Sequence, residues 1–213
     1  MVDENGKAVP ILTVIRSAER YDLMPAVDRW VLRKVCTLLT SGHLQTEDRE
    51  LIAINISGMS VNDDNFLAFA RAELKACGAL AKRICFELTE TAAIRNFAKA
   101  TEFMRALKTF GCCFALDDFG SGLSSFGYLK NLSVDFIKID GNFISTMIDD
   151  KIGRAMVEAI AQIGRVMGIP IIAEGVENES LLNLVKEVGI EYAQGFTLHY
   201  PEPIQQAFRR RKA

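Results

Sequence analysis

Short apolar runs alternate along this chain with longer stretches whose apolar residues recur at helical spacing. Met24–Leu39 places Met24, Val27, Val31, Val35 and Leu38 on one stripe, which predicts a helix. Leu51–Ser57 reads as a strand, and Asn65–Ala76 as a helix opened by Asp63 or Asp64 and closed near Gly78. Arg83–Leu88 is the next strand, followed by a helix over Phe97–Phe110 that Gly111 ends with a left-handed cap. Cys112–Leu116 and Val134–Ile139 are strands. Asp150 can cap a helix over Lys151–Met167 with Ile152, Met156, Ile160 and Ile163 inward, closed by Gly168. Pro170–Ala173 is a strand, Glu179–Val188 a helix with Leu181, Leu184, Val185 and Val188 inward, and Tyr192–Gln194 the start of a last short strand.

The strands are apolar throughout rather than alternating, as expected when both faces of a parallel sheet are covered. They stand about 20–35 residues apart, the size of a βα unit. This pattern predicts an α/β fold, a TIM-type (β/α)8 barrel, with a doubly wound open sheet as the alternative. No glycine-rich dinucleotide or phosphate-loop fingerprint follows a strand, which weakens the alternative. The reading finds six strands in 213 residues, short for such a barrel, so N-terminal strands are expected to be missing from an otherwise single domain spanning 1–213.

Five of the apolar runs carry or meet a polar group at their end. Ile52–Ile56 carries Asn55, Ile84–Phe86 runs into Glu87, and Cys113–Leu116 runs into Asp117 and Asp118. Phe136–Ile139 carries Lys138 and ends at Asp140, and Ile169–Ala173 runs into Glu174. In a parallel barrel these ends share one rim, where such folds place their chemistry. Carboxylates converging there repel one another unless cations neutralise them, so the pattern points to divalent metal. Each residue also has an ordinary reading: Asn55 as a buried, satisfied amide, Lys138 as a salt-bridged barrel residue, and Asp117-Asp118 as a solvated turn with a helix cap.

Composition changes this picture little. The net charge of −2 gives no reason to expect DNA as a partner, and the basic tail Arg209-Arg210-Arg211-Lys212 reads as a solvated end. The five cysteines form no CxxC pair and have no histidine at ligand spacing, so they read as small core residues of a protein in a reducing, cytoplasmic setting. No apolar stretch reaches the length of a membrane span and no signal-peptide pattern opens the chain, so no membrane contact is expected.

Taken together, Asn55-Ile56-Ser57, Glu87-Leu88-Thr89-Glu90-Thr91, Asp117-Asp118-Phe119-Gly120, Lys138-Ile139-Asp140, Ala173-Glu174-Gly175-Val176-Glu177 and Gln194-Gly195-Phe196 resemble the EAL family of cyclic di-GMP phosphodiesterases, in the family's order over nearly the whole chain. The resemblance implies hydrolysis of cyclic di-GMP to linear pGpG with two Mg²⁺ or Mn²⁺ ions. It assigns Asn55, Glu87 and Asp117 to one ion, and Asp117, Asp118 and Glu174 to the other. Hard cations take oxygen ligands, and this set is all carboxylate and amide. Two ions roughly 4 Å apart can hold a water in line with a phosphodiester phosphorus. Lys138 then holds that water or stabilises charge on the transition state, and Glu174 is also a candidate general base. Asp140 resembles a supporting position suited to pair with Lys138 or a metal-bound water. Glu90 and Glu177 resemble residues that steady the loop after Asp118 and the substrate end, and Gln194 a site amide. The loop Phe119–Tyr128 resembles one that couples the site to dimerisation, which implies a homodimer.

The chain departs from the family pattern at Ser121, where Thr is usual, and at Leu123, where Tyr is usual. Gly141 and His199-Tyr200 stand where Arg and Ser-Arg are common, which lowers positive charge near a phosphate. The Glu-Ala-Leu-x-Arg motif itself precedes the segment matching Asp3–Pro10 in relatives and is not in this sequence. The resemblance makes its Glu a metal ligand and its Arg a phosphate contact, and implies sensory or diguanylate cyclase-like domains ahead of this one in a longer parent. Two functions therefore stand: a metal-dependent phosphodiesterase, or an inactive EAL-like domain that binds cyclic di-GMP or another protein.

Overall fold

The computed structural model describes residues 6–7, 9–42, 50–120 and 126–209. Its centre is one parallel sheet of six strands: β1 (Ile52–Asn55), β2 (Ile84–Thr89), β3 (Cys113–Phe119), β4 (Phe136–Ile139), β5 (Ile171–Ala173) and β6 (Tyr192–Ala193). The spatial order β1-β2-β3-β4-β5-β6 follows the chain order. A doubly wound sheet would reverse direction at a switch point; no reversal occurs here, so the sheet is an arc of β/α barrel type.

Helices follow the strands in alternation. Ahead of β1 come α1 (Ile11–Arg20) and α2 (Met24–Thr40), and α3 (Gly58–Val61) and α4 (Asp64–Cys77) follow it. After β2 come α5 (Glu90–Arg95) and α6 (Phe97–Lys108), and after β4 come α7 (Gly141–Thr146) and α8 (Lys151–Met167). Then α9 (Glu179–Val188) follows β5 and α10 (Ile204–Arg209) closes the described chain. Asp63, one of the two candidates for the start of α4, and Asp150 cap α4 and α8 by accepting the amides of Asn65 and Ile152. Gly168 and Gly189 end α8 and α9 in the left-handed conformation.

The core lies between the sheet and these helices. Phe66 of α4 stacks on Phe103 of α6 at 6.1 Å, and Phe114 of β3 meets Phe103 edge-on at 6.2 Å and Phe86 of β2 at 5.4 Å. Along β1 burial alternates, with Ile52 and Ile54 buried and Ala53 and Asn55 exposed. The apolar residues face the helices while the alternate positions face the barrel interior. Phe136 of β4 and Tyr192 of β6 meet edge-on at 6.1 Å across that interior face.

Three expectations change. Asn55 is exposed rather than buried, because β1 is the edge of the sheet and no described strand lies beyond it. In α8, Ile152 and Met156 point outward (72% and 47% exposed), and Gly153, Val157, Ala161 and Gly164 face the core instead. The reason is close approach: a Cβ on Gly164 would fall 2.6 Å from Ile171 of β5, so the small-residue face is the one that fits the sheet. In α2 the buried face is centred on Asp28, Leu32, Val35 and Leu39, with Val27 and Val31 only half-buried. All five cysteines are free thiols, four of them buried. Residues 121–125 of the loop after β3, including Ser121 and Leu123, and residues 210–212 of the basic tail lie outside the described residues.

Candidate functional site

The strand ends bring most of the predicted residues to one place. Register pairs Asn55 of β1 with Glu87 of β2, and Glu87 with Ala115 of β3. Between β3 and β4 the register shifts: Leu116 pairs with Ile137 and Phe119 with Ile139, so Asp117 and Asp118 together stand opposite Lys138 alone. Two residues facing one is a β-bulge, a device that re-aims side chains at the rim of a barrel. Asp118 carries it with φ of +53°, a left-handed conformation that Asp tolerates better than most residues, and its amide donates to Asp117 Oδ1 at 3.1 Å. Adjacent residues of a regular strand point to opposite faces. The bulge removes that opposition, so both carboxylates reach one site.

Lys138 is the hub. Its Nζ lies 3.0 Å from Glu87 Oε1, 3.0 Å from Asp117 Oδ1 and 2.6 Å from Glu174 Oε1, and its side chain is only 4% exposed. Burial opposes the ammonium, but the bond to Glu174 and the charges of Glu87, Asp117 and Glu174 outweigh it and hold the lysine above its ordinary value. Burial raises the carboxyls of Glu87 and Glu174, against the lowering effect of Lys138 and with further raising from Asp117. Burial, then Asp117 and Asp140, raise Asp118. Lys138 is thus a salt-bridged barrel residue, and its three partners stand at three of the strand ends singled out in the sequence.

Carboxylate oxygens of Asp117, Asp118 and Glu174 lie within 4.8 Å of one another, so these three residues could hold a metal ion. The donors fit a hard cation, because every one is an oxygen. The charge fits as well: Glu87, Asp117 and Glu174 share the single ammonium of Lys138, and Asp118 adds a fourth carboxylate beside Asp117 and Glu174, an excess of negative charge that burial makes costly.

The loops beyond the strands complete the rim. Glu174 N donates to Ile139 O at 3.2 Å and Gln194 N to Ala173 O at 2.8 Å, which extends the ladder past β5 and β6. Gly175, at φ of +65°, crosses Gly141 so closely that a Cβ there would sit 3.1 Å from the Gly141 Cα. Glycine at 141 leaves room for this crossing, where the larger Arg of the family pattern would have to point away. A cavity of about 310 Å³ opens here, lined by Gly141, Glu174, Glu177, Gln194 and Phe196. A larger hollow of about 590 Å³ lies along α6, but Glu102 is the only acid lining it, so it offers no converging carboxylates.

Two supporting residues differ in how they act. Glu90, 1% exposed at the start of α5, accepts from Gly120 N at 3.1 Å and from the Tyr128 hydroxyl, tying together both ends of the loop after β3. Asp140 does not join the ion pairs of Lys138. Its Oδ1 caps α7, accepting from the Asn142 amide at 2.7 Å and from Asn142 Nδ2 at 2.8 Å, because it is the last residue before a helix that needs an N-terminal acceptor. It acts on the site through its charge, felt at Asp118. Neither Tyr128, noted only as the end of a loop, nor Asp28 stands out as a site residue in the sequence. Tyr128 carries no motif, and Asp28 lies inside a helix pattern where an acid normally faces solvent.

The sequence profile described as the EAL domain matches residues 1–201. This chain belongs to the EAL family. It is 38% identical over 199 residues to cyclic di-GMP phosphodiesterase PdeB of Shewanella oneidensis, covering 93% of this chain and 23% of that protein. It is 37% identical over 204 residues to cyclic di-GMP phosphodiesterase PdeA of Borreliella burgdorferi, covering 96% of this chain and 30% of that protein. The chain thus spans under a third of the length of these EAL relatives. A solved structure of the PaMucR phosphodiesterase in complex with c-di-GMP superposes with a TM-score of 0.86 at 29% identity, covering 96% of this chain and 83% of that one. The superposition confirms the EAL barrel fold. No helix among the described residues is long and apolar enough to cross a membrane.

Proposed function

We propose that this EAL domain, spanning 1–213, hydrolyses cyclic di-GMP to linear pGpG, with Mg²⁺ or Mn²⁺ as its metal. The observation that carries the proposal is the convergence of Glu87, Asp117 and Glu174 on Lys138, with Asp118 delivered to the same rim by the β3 bulge. Asn55, Glu87 and Asp117 are the proposed donors to one ion, and Asp117, Asp118 and Glu174 to a second. Bound there, the ions would supply charge neutralisation at the scissile phosphate and lower the pKa of the attacking water.

The chain's own residues perform the remaining tasks. Lys138 presents a permanently charged ammonium, held above its ordinary pKa, to the negative charge that develops on the phosphoryl oxygens. Glu174, whose carboxyl burial raises, is the candidate to take the proton of the attacking water. The water oxygen forms a new bond to phosphorus as one phosphorus–oxygen ester bond of the ring breaks, and the leaving oxygen becomes a hydroxyl with a proton that replaces the one water gave up. Gln194 and Glu177 are the proposed residues that orient the nucleotide, a reading supported by their lining the 310 Å³ cavity beside Glu174. Glu90 and Asp140 act indirectly, by holding Gly120 and Tyr128 and the start of α7.

We also propose a homodimer, supported by the outward apolar residues Ile148, Ile152, Met156 and Val166 on and beside α8. Sensory or diguanylate cyclase-like domains alongside this one in a longer parent fit the far greater length of the relatives. The test is turnover: the purified chain is incubated with cyclic di-GMP and Mn²⁺, and pGpG is followed by chromatography with Glu174→Ala as control. Formation of pGpG that the substitution abolishes is expected. Binding of cyclic di-GMP without pGpG would replace the enzyme by a receptor.

A further inference from the structure

Asp28 sits in the first half of α2, 3% exposed, and one of its oxygens collects three donors. Oδ2 accepts from Ser57 N at 3.0 Å, Ser57 Oγ at 2.7 Å and Ser60 Oγ at 2.6 Å. Ser57 in turn caps α3, its Oγ accepting the Ser60 amide at 3.2 Å. Ser60 is fully buried. A buried carboxylate is costly unless its lone pairs are filled by good donors, and bonds to an ionised acceptor are roughly twice as strong as neutral ones. Such a knot, between a helix and the turn leaving a strand, fixes the position of that turn.

The turn is the one that follows Asn55. Ile56 N donates to Glu87 O at 2.9 Å, and Ser57 is held by Asp28. The two residues after Asn55 are thus gripped from opposite sides, by the backbone of β2 and by a carboxylate of α2. The grip matters here because β1 has a ladder partner only in β2 among the described strands. A strand held along one edge leaves the direction of its last side chains loosely set. In addition, α2 is tied to the start of α4 by Arg29 and Asp63 at 3.0 Å, so the clamp stands on a fixed helix.

We infer that Asp28 is a positioning residue for the metal site: through Ser57 and Ser60 it sets the direction of the Asn55 amide toward Glu87 and Asp117. The inference rests on Asn55 being a metal donor, as proposed above. Partners that orient metal ligands from behind typically change metal affinity or activity 10–100-fold when removed.

The test measures Mn²⁺ affinity of the whole chain by electron paramagnetic resonance of the unbound ion, together with melting temperature without metal. Four proteins are compared: the unsubstituted chain, Asp28→Ala, Asp28→Asn and Leu74→Ala. Leu74 is fully buried on α4, and its truncation lowers stability without touching the Ser57 turn. The expected result is a 10–100-fold weaker Mn²⁺ affinity in Asp28→Ala, a smaller loss in Asp28→Asn, and an unchanged affinity in Leu74→Ala despite its lower melting temperature. Where Asp28→Ala does not fold, the isosteric Asp28→Asn decides. Unchanged Mn²⁺ affinity in a folded Asp28 variant would overturn the inference and leave the metal site standing. Failure of the unsubstituted chain to bind Mn²⁺ would overturn the metal reading and this inference together.

Discussion

Lys138 Nζ lies 2.6 Å from Glu174 Oε1, the shortest of three ion pairs that one buried ammonium makes to carboxylates from three other strand ends. Its removal leaves those carboxylates facing one another. Lys138→Met is therefore expected to destabilise the metal-free chain by about 3–5 kcal/mol, the usual cost of breaking a buried pair. At roughly 2–4 °C per kcal/mol for a domain of this size, that is on the order of 10 °C in melting temperature. Added Mg²⁺ is expected to restore part of the loss. A melting curve unchanged by the substitution would contradict the hub role.

Glu174 is both a metal donor and the candidate base in this account, so Glu174→Gln keeps the shape and removes both functions. Turnover of cyclic di-GMP is expected to fall ~10³-fold or more, about 4 kcal/mol of barrier. Single-turnover kinetics with saturating Mn²⁺ check this, and a loss under tenfold would move the proton-accepting role elsewhere.

Tyr128 reaches across to the buried Glu90 carboxylate, which also holds Gly120 N at 3.1 Å. Tyr128→Phe leaves one oxygen of that carboxylate without its hydroxyl donor, at a cost of about 1–3 kcal/mol. The Gly120 amide is expected to exchange hydrogen faster in the variant, while amides in α4 keep their rates. Equal protection of Gly120 in both proteins would show that Gly120 is held independently of the Tyr128 hydroxyl.

Burial raises the thiols of Cys36 and Cys77, and that of Cys112 is pushed up to about 12. Unfolded thiols ionise near pH 8.5, so between that pH and the raised native values the unfolded chain binds fewer protons than the native one. Stability is then fully present below about pH 8.5 and falls as pH rises, at up to ~1.4 kcal/mol per pH unit for each such thiol. Urea unfolding at pH 7.5 and pH 10 measures the slope. A thiol reagent at pH 8 is expected to modify these cysteines only after denaturant is added.

The fold was legible because its signals are local. Apolar runs, the caps at Asp63 and Asp150, and the end glycines Gly168 and Gly189 each determine their own few residues. The helix faces were less legible: α8 offers two apolar stripes, and which one turns inward depends on the gap to Ile171, a tertiary quantity. At the site, Glu87, Asp117, Lys138 and Glu174 were readable from strand ends. The bulge that turns Asp118 alongside Asp117 was not, because it is a mismatch of register between two strands and neither strand shows it alone. Of the two partners the sequence suggested for Asp140, Lys138 is not taken up, since a helix N-terminus and a lysine compete for the same carboxylate and the nearby amide of Asn142 holds Oδ1.

The most direct measurement of the central claim is anomalous scattering at the manganese edge from crystals of this chain soaked in Mn²⁺. The account predicts two peaks roughly 4 Å apart, one among Asn55, Glu87 and Asp117 and the other among Asp117, Asp118 and Glu174. Absence of any peak at these carboxylates, with Lys138 still holding all three of its partners, would contradict it.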